Sequence, residues 1–192
     1  MSDTEAVVST IVSDNYDAGV QCAKDMMKKK TSANIIIVNQ KALNSINERV
    51  KGFRDTIKGH PQYKIVEEKE SAAEFEIAMK VMEKIIYEKK NYDVVMGGND
   101  PIALGCIAAM QMTDKTDQVM VYGVDGSPYG KAMIKAGFLE GTAAQSPIKI
   151  GEKAVQTAYS YLAGETVKKH VTIPVELITA DNLKFYDMTG WQ

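Results

Sequence analysis

Apolar residues in this chain follow two alternating patterns. Some stand in continuous β-branched runs, and others recur every three or four positions. Val7 to Val12 is a run of the first kind, and Asp14-Asn15 stops it and can cap a helix. Tyr16, Val20, Ala23 and Met27 then recur at helical spacing. Ile35-Ile36-Ile37-Val38 is wholly apolar, as befits a strand covered on both faces. Ile46, Val50, Phe53 and Ile57 form the next stripe, which ends near Gly59-His60-Pro61. Tyr63 to Val66 reads as a short strand. Phe75, Met79, Met82 and Ile86 form a further stripe, with Phe75 expected to face the core. Asp93 to Met96 is a fourth strand. Asp100-Pro101 then supplies an N-cap acid and a proline at the first helical position, opening a helix through Leu104 and Ile107. Val119 to Tyr122 is a fifth strand, followed by a short helix over Ala132 to Lys135.

Strands that alternate with helices, and are themselves nearly all apolar, indicate an α/β fold with helices on both faces of a parallel sheet. The right-handed crossover rule narrows this to a doubly wound, mainly parallel, flavodoxin-like sheet. The tail leaves this rhythm. Gly137 to Ala144 is extended, and Gln145-Ser146-Pro147 is a break. Ile150, Ala154, Ala158 and Leu162 then mark a helix over 147–163. Val171 to Ile178 is extended, but Pro174 inside it predicts an edge strand or a connector. Asn182 to Gln192 is irregular.

Composition removes several classes of function. The 192 residues are 45% hydrophobic, enough for one sizeable core, and carry a formal net charge of -2. That balance predicts no nucleic-acid surface. The basic run Lys28 to Lys30 reads as a solvated helix end. No apolar stretch approaches the ~18–20 residues of a membrane span. Met1 to Glu5 is polar and acidic, with no apolar signal region, so the chain is expected to be cytosolic or to lack a leader. Cys22 and Cys106 are expected as buried free thiols, and the two histidines offer no metal spacing. No cofactor is implied.

Ligands of open α/β sheets bind beyond the carboxyl ends of the strands. There the sequence places Ser13, Asp14 and Asn15, then Arg49 on the helix after strand two. Gly97, Gly98, Asn99 and Asp100 follow strand four, and Asp125, Gly126 and Ser127 follow strand five. Carboxylates, an amide and a guanidinium at one rim suit a polyhydroxylated ligand. Singly, Asp14 and Asp100 can be helix caps, Asn99 and Asp125 can satisfy turn backbone, and Arg49 can be an exposed charge. No glycine-rich phosphate loop follows strand one and no GxSxG elbow occurs. His60 and His170 read as surface residues, so no enzyme is expected.

Five ordered segments carry a resemblance. Ser13-Asp14-Asn15 with Ala18-Gly19, Glu48-Arg49 with Gly52-Phe53, Asn99-Asp100 with Ala103-Leu104-Gly105, Gly123-Val124-Asp125-Gly126, and Ala143-Ala144-Gln145-Ser146-Pro147 with Gly151 resemble successive motifs of the ribose- and galactose-type periplasmic sugar-binding proteins (type 1, LacI-like fold). The resemblance covers nearly the whole chain. It implies sugar contacts at Asp14, Arg49, Asn99, Asp125 and Gln145. It implies a solute-binding component of an ABC importer, located in the periplasm or anchored outside the cell, with a monosaccharide ligand and a membrane permease as partners.

Members of that family begin with a complete first lobe. The resemblance therefore assigns residues 1–145 to the second, sugar-binding lobe, 146–174 to a helix and return strand of the first lobe, and 175–192 to hinge and tail. The lobes would be joined near Ser13, near Gln145-Ser146 and within Pro174 to Asn182. This chain would hold half of the site and bind free sugar weakly alone. The helix over 147–163, lacking its lobe, would pair with a second copy in a homodimer, fold back or stay mobile. Ala73 falls where the family tends to carry an aromatic, and Asn39-Gln40-Lys41 lacks a usual glycine. The alternative is the effector-binding domain of a LacI-type regulator. Asp125-Gly126, and a segment 114–121 without the regulators' usual run, favour transport.

Overall fold

In a computed structural model, residues 6–113 and 119–191 are described. Met1 to Glu5, read above for a leader, and 114–118, within the segment compared with regulators, lie outside the described residues. The chain runs β1 (Thr10–Ser13), α1 (Asn15–Lys29), β2 (Ala33–Asn39), α2 (Asn44–Ile57), β3 (Tyr63–Glu70), α3 (Phe75–Tyr87), β4 (Val94–Gly97) and α4 (Asp100–Gln111). It continues through β5 (Met120–Asp125), α5 (Pro128–Lys135), β6 (Gly141–Ala144), α6 (Pro147–Leu162), β7 (His170–Ile173) and β8 (Glu176–Thr179) to a 3-10 turn at Leu183–Phe185.

The main sheet has six strands in the order β3-β2-β4-β5-β6-β8. The first five are parallel and β8 is antiparallel to β6. Renumbered from β2, the parallel part has the doubly wound flavodoxin order, with its topological switch between β2 and β4. Helices α1 and α2 pack together, and α3 packs on α4 and α4 on α5. Ile35 to Val38, Val94 to Met96, Val121, Tyr122 and Val124 are fully buried between these layers, which is why their strands read as unbroken apolar runs. β3 runs on to Glu70, beyond the expected end at Val66. It is an edge strand, where exposed Glu and Lys also deter pairing with another chain.

β1 was expected as the first strand of the main sheet. Instead it pairs in parallel with β7 in a separate two-stranded sheet. Val171 to Ile178 is not one extended segment either. Its proline, which has no N–H to donate, stands between β7 and β8 where the chain leaves one sheet for the other. α6 rests against β1 and, although amphipathic, has no buried residue. Lys131 of α5 is fully buried and ties down the tail, donating to the carbonyls of Asp187 and Gly190. Both cysteines are buried and free.

Candidate functional site

The polar residues gather beyond the carboxyl ends of β2, β4, β5 and β6, around the switch point. Two helices set the site's rear. α1 and α2 cross at glycines on both sides: a Cβ on Gly19 would lie 1.8 Å from the Arg49 carbonyl oxygen, and one on Gly52 would lie 2.0 Å from that of Tyr16. This close crossing delivers Arg49 from α2 into the rim. Its side chain is buried, 4% exposed, and not the exposed helix charge that spacing alone permits.

Arg49 Nε donates to Asn15 Oδ1 at 2.9 Å and Nη1 donates to the Gly98 carbonyl at 2.9 Å. Nη1 also stands 3.5 Å from Asp125 Oδ1. Gln145 Nε2 donates to the same Asp125 oxygen at 2.7 Å, and Ser13 Oγ donates to Gln145 Oε1 at 2.8 Å. Ser13, Gln145, Asp125, Arg49 and Asn15 thus form one continuous chain of contacts across five elements and their ends. Burial pushes the guanidinium's pKa down, and Asp125 and Asp100 oppose that shift. Asp125 is pushed up to about 6, first by burial and then by Asp100, while Arg49 pulls it back.

Of the five residues implied by resemblance, the fold therefore joins Arg49, Asp125 and Gln145 directly. Asn99 sits beside Gly98, but its Oδ1 caps α4 by accepting from Ile102 N at 3.0 Å. Asp14 caps α1, accepting from Asp17 N at 3.0 Å, and lines a hollow of about 210 Å³ with Ser13, Asn15, Tyr16, Asn44 and Glu48. No link from Asp14 to Arg49 or Asp125 is present; its neighbour Asn15 accepts from Arg49, and Ser13 donates to Gln145.

The cap expected at Asp100 belongs to Asn99 instead. Asp100 is the first helical residue, is wholly buried, and accepts from Ser127 and Thr142. One signal could have found it. Asn99 and Asp100 cannot both cap one helix, so one of them was free for another task. Phe75, expected in the core, is 39% exposed; α3 instead buries Ala78, Met82 and Ile85. Ala73, at the position where an aromatic was anticipated, has φ 59°, a left-handed conformation unfavourable to large side chains. Among the described residues no group of His, Cys, Asp and Glu could hold a metal.

A family model described as the periplasmic binding protein domain matches residues 2–166. The ribose import binding protein RbsB of Escherichia coli (strain K12) is 31% identical over 175 residues, covering 90% of this chain and 58% of that protein. The D-apiose import binding protein of Paraburkholderia graminis is 30% identical over 189 residues, covering 96% of this chain and 60% of that one. Among solved structures, an ABC transporter solute binding protein from Bacillus halodurans with bound myo-inositol superposes with a TM-score of 0.88 at 26% identity. That match covers 93% of this chain and 63% of the other. The Caulobacter myo-inositol binding protein gives 0.87 at 27% identity, over 96% of this chain and 64% of that one. The chain spans about 58% of the length of the ribose-binding relatives it matches. With a fold that superposes on these proteins, a polar rim at the switch point and a family model over most of its length, this chain belongs to the periplasmic binding protein family.

Proposed function

We propose that this chain supplies one polar wall of a monosaccharide-binding cleft in the solute-binding component of an ABC importer, and that it carries out no bond-making chemistry. The observation that carries this reading is the buried Arg49, held between Asn15, Gly98 and Asp125 at the switch-point rim, with Gln145 on the far side of Asp125. A carboxylate accepts from vicinal hydroxyls, a guanidinium donates to them, and a primary amide does both. Preorganised in a cleft, such groups favour a polyol over analogues that lack a hydroxyl. Asp14, Asn99 and the hollow beside Ser13 and Asn15 extend the wall. The relatives' names support a sugar or cyclic polyol as ligand, and the reading places the protein outside the cytoplasmic membrane, working with a permease.

The proposed division of the chain follows the sheets apart from β1, which pairs with β7, and β8, which joins the main sheet. Residues up to 145 carry the sugar wall, 146–174 hold α6 and β7, and 175–192 form hinge and tail. Supporting this, the chain passes between the two sheets at Ser13, at Gln145-Ser146 and at Pro174, and Ser13 meets Gln145 at two of those passages. The exposed faces of α6 would then be covered by further polypeptide of the other lobe, or by a second copy of the chain.

Calorimetry on the whole protein with D-ribose, D-apiose and myo-inositol tests the reading. At least one is expected to bind tightly. Arg49→Ala is expected to weaken that binding at least ~100-fold, the equivalent of two charge-assisted hydrogen bonds. Unchanged affinity in Arg49→Ala, or no binding of any sugar by the parent, would sink it.

A further inference from the structure

Asp100 lies behind the wall, has no exposed surface, and yet both of its oxygens are occupied. Oδ2 accepts from Ser127 N at 2.9 Å and from Ser127 Oγ at 2.6 Å. Oδ1 accepts from Thr142 Oγ1 at 2.6 Å, and Thr142 Oγ1 accepts in turn from Gly126 N at 3.0 Å. Ser127 Oγ also caps α5 through Gly130 N at 3.0 Å. One carboxylate at the start of α4 thus grips the end of β5, the start of α5 and strand β6.

Two features show that the sequence makes room for this grip. A Cβ on Gly123 would lie 2.4 Å from Asp100 Oδ1, and one on Gly130 would lie 2.4 Å from Oδ2. Glycine on both sides leaves the space that the carboxylate fills. The gripped turn is also one that needs holding. Asp125 has φ 148° and Gly126 has φ 70°, and for a non-glycine residue such a φ persists only where the surroundings impose it. Asp100 N approaches Asp125 Oδ2 at 3.4 Å, so the same residue touches the wall's carboxylate from behind.

We propose that Asp100 is the positioning residue of the sugar wall: its carboxylate holds the Asp125-Gly126-Ser127 turn in the shape that aims Asp125 at Arg49 and Gln145. The wall's role in binding sugar rests on the preceding reading, but the aiming does not. The charged and titratable groups around this pair are Arg49 from α2, the Cys22 thiol from α1 and Lys131 from α5; Gln145 and Ser13 are neutral. Asp100 repels Asp125, which raises its pKa, and Arg49 lowers it.

The first readout needs no ligand. Carboxyl-carbon NMR of Asp125 in the whole, unliganded protein is expected to titrate near 6. Asp100→Asn keeps the shape and removes the charge, so the midpoint should fall part of the way to the ordinary ~4. An unmoved midpoint overturns the proposal; a moved one has to be joined by a shifted Gln145 side-chain amide signal, because losing the Asp100 charge moves the midpoint by itself, and an unshifted amide overturns the proposal. Should Asp100→Asn fail to fold, Thr142→Val replaces it. That variant should shift the Gln145 side-chain amide signal, and Thr142→Ser should restore it; an unshifted signal overturns the proposal.

The second readout is calorimetry with D-ribose. Thr142→Val should lower affinity ~5-fold, about one neutral hydrogen bond, and Thr142→Ser should recover it. If the parent binds no D-ribose while the Gln145 side-chain amide signal still shifts in the variants, the positioning role stands and the ribose reading fails.

Discussion

At the scale of single residues, the wall sets two pH effects of opposite sign. Asp125 titrates at about 6 in the folded protein and near ~4 when unfolded. Between those values the folded state binds more protons, so Asp125 alone makes the fold less stable as pH rises through that window. On the proposed reading the sugar's hydroxyls are accepted by its ionised carboxylate, so affinity should run the other way. D-ribose affinity of the whole protein is expected to be flat above pH ~7 and to fall through about 6, while Asp125→Asn binds weakly at every pH. Calorimetry across that range checks both curves; a pH-independent parent would remove Asp125 from the binding groups. Residue types at strand ends pick out Arg49 and Asp125, and the family resemblance adds Gln145. Asp100 stands among those strand-end groups, but its role is not legible there, because a carboxylate before a proline looks like a cap until its partners, Ser127 and Thr142, are brought to it from distant positions.

At the scale of elements, the crossing of α1 and α2 controls where Arg49 points. Gly52→Ala would drive a methyl group against the Tyr16 carbonyl, whose backbone cannot yield without separating the helices. A loss of at least ~3 kcal/mol in urea unfolding is expected, with weaker D-ribose binding as α2 moves. Gly59→Ala serves as the contrast in space, since nothing lies within 4 Å of its added Cβ, though its φ of 86° adds backbone strain. Helical stripes predict the buried face of α2 but not that of α1, for a related reason. Ile46, Val50, Phe53 and Ile57 are all buried as spaced. On α1 the buried face is Ala18, Gly19, Cys22, Ala23 and Met26, turned from the expected line of Tyr16, Val20, Ala23 and Met27, which shares only Ala23 with it. Small residues at a close helix crossing carry little hydrophobic signal, so the larger side chains at the margin attracted the assignment.

At the scale of the whole molecule, the two sheets give the binding reading its mechanical form. Hinge closure around a ligand requires connections that can absorb a change in backbone angles, and the passages at Ser13, Gln145-Ser146 and Pro174 are short. Small-angle scattering of the whole protein should therefore show contraction on adding D-ribose, and Arg49→Ala should show none at the same concentration. A parent that binds without contracting would leave the wall intact and remove the closure. The chain's own pattern of apolar runs and stripes determined the α/β class, the parallel order and the rim where polar groups collect, because periodicity and strand-end chemistry are local properties. Tertiary structure alone decided that β1 joins β7, that Asn99 and not Asp100 caps α4, and that Arg49 is buried against Asp125. Each of those depends on which distant segments meet, and a linear pattern carries no record of its partners.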